Sequence, residues 1–166
     1  MDAGERARGV LLGLVAGNVL GVGVEGWPGS RIRQRYPDGV REIDAAERDR
    51  PWDDDVAQAI ILAEAIVERG ELSLDDLGGR FLRWYREGAR GIGAQTSQVM
   101  RELAGGTPPT DAARLVWERS GGKAAGNGAV MRCAPLAIRW RHEVELLVDQ
   151  SRVSARITHE DPRCQW

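Results

Sequence analysis

Apolar residues recur at helical spacing along most of this chain. Val10, Leu11, Leu14 and Val15, with Asn18 in the same spacing, predict a first helix over residues 5–19. Val56, Ala59, Ile60, Ala63, Ile66 and Val67 fit the i, i+3, i+4, i+7 template best, and Gly70 marks the end of that helix. Ser73 with Asp76 three residues later resembles a capping box, with Asp in place of Glu. It opens a helix carrying Leu77, Phe81, Leu82, Trp84 and Tyr85. Further helices are predicted over 96–103, 111–119, 129–140 (bent at Pro135) and 144–157. Residues 30–52 read as polar and irregular, with a turn at Pro37-Asp38-Gly39. No segment alternates as a strand, so the class is all-α, a compact multi-helix bundle in one domain over 1–166.

Glycines qualify this picture. Gly9, Gly13, Gly17 and Gly21 form one stripe of the first helix, each costing about 1 kcal/mol against alanine. A backbone or a ligand is expected to approach that stripe. Gly88–Gly93 and Gly121–Gly128 are glycine-rich breaks. Glycine at a helix end is usually a cap, but such loops also present backbone N–H groups to phosphates.

Composition narrows the classes. The chain is 42% hydrophobic and 29% charged with a net charge of −2, so it has no basic field for nucleic acid. Cys133 and Cys164 form no framework and read as reduced, buried thiols. His142 and His159 are too few for a histidine-rich zinc site. Arg6 and Arg8 precede an uncharged stretch over 9–24. Asp2 and Glu5 interrupt that signal-like start, and the stretch is shorter than the roughly 20 residues that span a bilayer. No membrane partner and a cytoplasmic location are expected. Six tryptophans are scattered and are expected mostly in the core or at interfaces.

The strongest candidate chemistry is Asp53-Asp54-Asp55, placed directly before the best helix. One Asp suffices as a cap; three adjacent carboxylates repel one another unless a cation neutralises them. Hard oxygen ligands suit Mg²⁺, Mn²⁺ or Ca²⁺. Glu25, Gly91-Ile92-Gly93, Gly126-Asn127-Gly128, and Thr158-His159 with Asp161 also sit in loops or at helix ends. Alone, His159 reads as a surface or satisfied histidine.

Taken in order, these segments resemble the ADP-ribosylglycohydrolase family, whose members include dinitrogenase reductase activating glycohydrolases. Residues 8–21 resemble its opening helix, and Gly21-Val-Gly-Val-Glu25 the acidic loop that follows. Trp52-Asp-Asp-Asp-Val56 resembles its Trp-Thr-Asp-Asp-Thr metal motif. Residues 90–96 resemble the phosphate-side loop, Gly126-Asn-Gly-Ala-Val-Met-Arg132 the ribose-side motif, and Ile157-Thr-His-Glu-Asp-Pro162 the Thr-His segment.

The resemblance implies an all-α fold and metal-dependent hydrolysis of the bond linking ADP-ribose to a protein side chain or a small acceptor. It implies Mg²⁺ (or Mn²⁺), binuclear in a complete protein. Asp53, Asp54 and Asp55 would be metal ligands, and Glu25, Asp54 and Asp55 would carry catalysis. Gly91, Gly93, Gly126, Asn127, Gly128 and His159 would hold ADP-ribose.

Departures from the pattern are Asn18 for the usual Asp after Gly17, Asp53 for the first threonine and Val56 for the second. The family's second Asp-rich motif, carried nearer the C-terminus, does not occur before Trp166. The chain therefore reads as the N-terminal portion of such a protein, its partner being the C-terminal half. The rival readings are a non-catalytic ADP-ribose-binding or crystallin-like member and an inactive truncated fragment.

Overall fold

A computed structural model describes residues 2–43, 49 and 52–165. Among the described residues the regular elements are helices: α1 (Ala3–Gly21), α2 (Gly29–Arg35), α3 (Asp54–Arg69), α4 (Leu74–Arg86), α5 (Ala94–Ala104), α6 (Pro109–Arg119), α7 (Ala134–Trp140) and α8 (Val144–Arg156), joined by short 3₁₀ turns. The all-α expectation holds.

Helix α4 is the centre of the bundle, packing against α3, α5, α6 and α8. Its Leu77 and Phe81 are fully buried, among Leu62 and Ala65 of α3, Met100 of α5 and Trp140 of α7. Each large apolar side chain taken from water contributes about 1.5–3 kcal/mol. This packing, more than helix propensity, holds the bundle. At the start of α4, Ser73 Oγ accepts from Asp76 N at 3.3 Å, the cap read from sequence.

Three predicted boundaries change. Helix α1 begins earlier, because Asp2 and Glu5 cap each other reciprocally at 2.7 Å. Helix α2 falls within a segment read as irregular. Its sequence, Gly-Ser-Arg-Ile-Arg-Gln-Arg, holds one apolar residue and shows no period, and Arg31 stacks 3.7 Å over Trp27 just before it. The helix predicted over 129–140 starts only at Ala134. Pro135 sits in its first turn, where no N–H is needed, so it opens the helix instead of bending one.

Helix α1 lies at the margin against α3 and α7, with only Asn18 and Val19 buried. Val10 and Leu12 are 48% and 68% exposed. No other side chain or backbone comes within 4 Å of a Cβ built on Gly9, Gly13, Gly17 or Gly21. Among the described residues, then, no protein neighbour explains the stripe. By length and composition alone, Ala3–Val24 could cross a membrane, a property the shorter uncharged stretch does not convey.

The tryptophans divide. Trp140 is fully buried, Trp84 packs against the core, and Trp52 is 47% exposed; Trp166 lies outside the described residues. Cys133 and Cys164 are free thiols, half-buried where the sequence suggested full burial.

Candidate active site

The carboxylate cluster forms where α1 meets the start of α3. Asp53 stands just ahead of α3, and Asp54 and Asp55 occupy its first turn. One oxygen from each of the three lies within 4.8 Å of the others. Asn18 of α1 ties the cluster together. Its Nδ2 donates to Asp53 Oδ1 at 2.6 Å and to Asp55 Oδ2 at 3.2 Å, and its Oδ1 accepts from Asp53 N at 3.1 Å. An asparagine on the apolar helix α1 thus satisfies the backbone that starts α3. Sequence spacing set Asn18 on the helix but gave it no role.

Asn18, Asp53, Asp55 and Glu25 line a cavity of about 310 Å³ together with Gly17, Gly21 and Asn127. Glu25 reaches it from the loop after the 3₁₀ turn Val22–Val24. Asp54 lies beside this wall, buried and not lining it. Asp53 also faces a second cavity of about 390 Å³, with Trp52, Trp84, Glu87 and Arg90.

Within the cluster the carboxylates raise one another's pKa. Burial first, then repulsion from Asp53, Asp55 and Glu25, pushes the Asp54 carboxyl up to about 7. Asp55 is raised by burial and by Asp53, with the Asn18 amide opposing. Glu25 is raised by partial burial and by Asp53 and Asp55. A group of close, all-oxygen, mutually repelling donors fits a hard divalent cation.

Gly91 and Gly93 sit in the loop between α4 and α5. Gly91 has φ +72°, and a Cβ there would lie 2.7–2.8 Å from Asp53 Cβ and its carboxylate. Asp53 accounts for this glycine by direct contact. Gly93 caps α5 with open space beside it and no side-chain cap.

The 126–128 loop lies across from the acids and brings Asn127 to the cavity. Gly126 and Gly128 are pressed on the His159 ring: a Cβ on either would lie 3.2 Å from Nε2 or 2.8 Å from Cε1. His159 is 1% exposed and stands behind the loop, not on the cavity wall. Burial, then the charge of Arg132, pulls its pKa down to about 4, so the ring is neutral at neutral pH. An unfolded histidine binds its proton near 6.5, so between pH 6.5 and 4 the unfolded state holds more protons and stability is lost as pH falls. The loss reaches about 3 kcal/mol at pH 4, at about 1.36 kcal/mol per unit. Urea titrations at pH 7 and pH 4.5 should show a smaller difference for His159→Asn than for the unaltered chain.

Beneath the site lies Arg132, fully buried. It donates to Gln58 Oε1, to the Ser154 carbonyl and to Thr158 Oγ1, and lies 5.0 Å over the Phe81 ring. Gln58 stands one helical turn after Asp54. The hub has one visible trace in sequence, a glutamine among the apolar positions of α3. Asp161 turns elsewhere: it accepts from Trp117 Nε1 at 3.0 Å and pairs with Arg163, which holds its carboxyl well below the usual range.

Known proteins resemble this chain in sequence and fold. A family model described as ADP-ribosylglycohydrolase matches residues 1–166. The ADP-ribosyl-[dinitrogen reductase] glycohydrolase of Rhodospirillum rubrum is 30% identical over 95% of this chain and 52% of its own length. ADP-ribosylarginine hydrolase Tri1 of Pseudomonas putida is 27% identical over 93% of this chain and 42% of its own. A solved structure, an ADP-ribosylglycohydrolase-related protein complex, superposes with a TM-score of 0.67 at 34% identity, covering 96% of this chain and 51% of that one. The chain thus spans about half the length of the relatives it matches. With the family model matched from end to end over the helical fold just described, the chain belongs to the ADP-ribosylglycohydrolase family.

Proposed function

We propose that this chain forms one wall of a metal-dependent site that hydrolyses the glycosidic bond between ADP-ribose and a protein side chain or related acceptor. The reading rests on the clustered carboxylates of Asp53, Asp54 and Asp55, with Glu25, Asp53 and Asp55 lining one cavity beside the Asn18 amide that bonds Asp53 and Asp55. Asp53, Asp54 and Asp55 would hold Mg²⁺ or Mn²⁺. When bound, such an ion polarises the reacting centre and lowers the pKa of a coordinated water. The remaining ligands of a binuclear centre would come from a segment equivalent to the unmatched half of the relatives.

Each residue of the chain has a part in this reading. Glu25, the most accessible of the acids, is suited to accept the proton of the attacking water. The Asp53–Asp55 cluster supplies the negative field that favours positive charge at the anomeric carbon. Asn127 meets the ribose hydroxyls, and Gly126 and Gly128 keep that loop close on His159, which supports it from behind. Gly93 leaves the first turn of α5 open to a phosphate, while Gly91 makes room for Asp53 beside it. Two relatives carry names that specify ADP-ribosylarginine and ADP-ribosylated dinitrogen reductase, so an ADP-ribosylated arginine is the first acceptor to test.

A second reading, ADP-ribose binding without turnover, is favoured by Asn18, whose amide already engages Asp53 Oδ1 and Asp55 Oδ2. Calorimetry with Mn²⁺ and ADP-ribose, beside an assay of ADP-ribosylarginine hydrolysis in Mg²⁺, separates the two. Binding with hydrolysis is the expected result. Binding alone supports the second reading, and no binding of either ligand overturns both.

A further inference from the structure

A run of hydrogen bonds behind the 126–128 loop ends on His159. The Arg132 guanidinium can only donate, and one of its bonds goes to Thr158 Oγ1 at 2.9 Å. The same oxygen lies 2.7 Å from His159 Nδ1. Thr158 is fully buried, and its hydroxyl has no other partner among the described residues. If that oxygen accepted from both neighbours, its own hydrogen would be buried without an acceptor, an arrangement folded proteins avoid. With Arg132 fixed as the donor on one side, the hydroxyl gives its hydrogen to Nδ1 on the other. A neutral imidazole that accepts at Nδ1 carries its hydrogen on Nε2.

Nε2 is the ring nitrogen turned toward the loop, 3.2 Å from the point where a Gly126 Cβ would stand. It makes no hydrogen bond among the described residues, yet it is not one of the fully enclosed polar atoms left without a partner, so its hydrogen can meet water at the loop, which the enclosed Thr158 hydroxyl cannot. Gln95 steadies the same segment by donating to the Thr158 carbonyl at 3.0 Å. Through Gln58, Arg132 also reaches the helix that carries Asp54 and Asp55. One buried cation therefore connects the acid-bearing helix with the histidine under the opposite loop.

We propose that Arg132 is a positioning residue: through Thr158 it fixes His159 as the Nε2–H tautomer and so sets the ring on which the loop carrying Asn127 rests. The consequence for ligand binding rests on the ADP-ribose reading above; the tautomer does not. Replacing Thr158 by valine keeps the side-chain shape and removes the hydroxyl, whereas serine retains it.

Nitrogen NMR of the full chain at pH 7, with His142→Gln to assign the signals, reads the tautomer directly. Unaltered protein should show His159 with a bare Nδ1 and a protonated Nε2. Thr158→Val should give a mixture of the two tautomers, and Thr158→Ser should restore the single form. An Nδ1–H form in the unaltered chain, or an unchanged tautomer in Thr158→Val, would overturn the proposal. In parallel, ADP-ribose should bind Thr158→Val about tenfold more weakly and Thr158→Ser normally, the loss of one hydrogen bond's worth of order. If the unaltered chain binds no ADP-ribose, the site reading fails, and the nitrogen spectra still decide whether the hydroxyl that Arg132 holds sets the His159 tautomer.

Discussion

Asp54→Ala combined with Asp55→Ala should abolish Mg²⁺-dependent hydrolysis and, at the same time, make the metal-free chain more stable. The two effects share one cause. Asp54 has a pKa near 7 in the fold against an ordinary 3.8, mainly from burial and then from Asp53, Asp55 and Glu25. A carboxyl whose pKa is raised on folding prefers its protonated form in the native state. Between pH 3.8 and 7 the native state therefore holds more protons, and stability falls as pH rises. Above pH 7 the full penalty applies, on the order of 4 kcal/mol at about 1.36 kcal/mol per unit. Some of that is offset in the variant. Asp55 loses its bond from Asn18, about 0.5–1.5 kcal/mol, and α3 loses two acids from its first turn, about 0.3–1 kcal/mol each. A net gain of about 1 kcal/mol should remain in urea titrations at pH 8 with chelator. Added Mn²⁺ should raise the midpoint of the unaltered chain and leave that of the double variant unchanged. Turnover by the double variant at the unaltered rate would remove the acids from the mechanism.

This antagonism explains why the site was legible in sequence. Three consecutive acids are a poor way to start a helix, so their presence signals a requirement other than stability. The glycine loops were legible for a related reason. At Gly128 a Cβ would lie 2.8 Å from the His159 ring, and at Gly91 it would strike Asp53, so each glycine records a close approach. The helices with buried faces, α3 and α4 above all, follow from apolar spacing. Helix α2 does not, since it buries no residue and leaves no period to read.

The connections among these parts were less visible. Asn18 and Asp53 are 35 positions apart, and Gln58 and Arg132 are 74 apart. Which distant polar groups meet is set by how α1, α3 and the segment after α8 pack, and one-dimensional spacing carries no record of that. His159 alone reads in sequence as a surface or satisfied histidine, and only the family resemblance gives it to ADP-ribose; packing buries it behind the 126–128 loop. The glycine stripe of α1 is a different case. Gly17 and Gly21 open onto the cavity, whereas Gly9 and Gly13 have no neighbour among the described residues to explain them.

At Arg132 the conservative substitution should be the more harmful one. Arg132→Lys is expected to destabilise the fold by about 3 kcal/mol or more, and Arg132→Met by about half as much. Arginine meets three acceptors on two different segments with one planar fork: Gln58 Oε1, the Ser154 carbonyl and Thr158 Oγ1. Lysine cannot reach all three, and each buried acceptor left unmet costs about 1–3 kcal/mol. Lysine also keeps a buried charge, in a more strongly hydrated and so more costly form. Methionine orphans the same acceptors but ends the cost of holding a cation in the core. That cost is substantial, since burial pulls the guanidinium down to about 9, against the opposing charge of Asp54, and it remains protonated at neutral pH. Arg132 Nε and Gln58 Nε2 are themselves buried without partners among the described residues, so the cluster is not arranged for stability alone. Urea midpoints of the three proteins at pH 7 test the order. A lysine variant as stable as the unaltered chain would show that charge alone suffices and that the fork has no part in joining α3 to the Thr158–His159 segment.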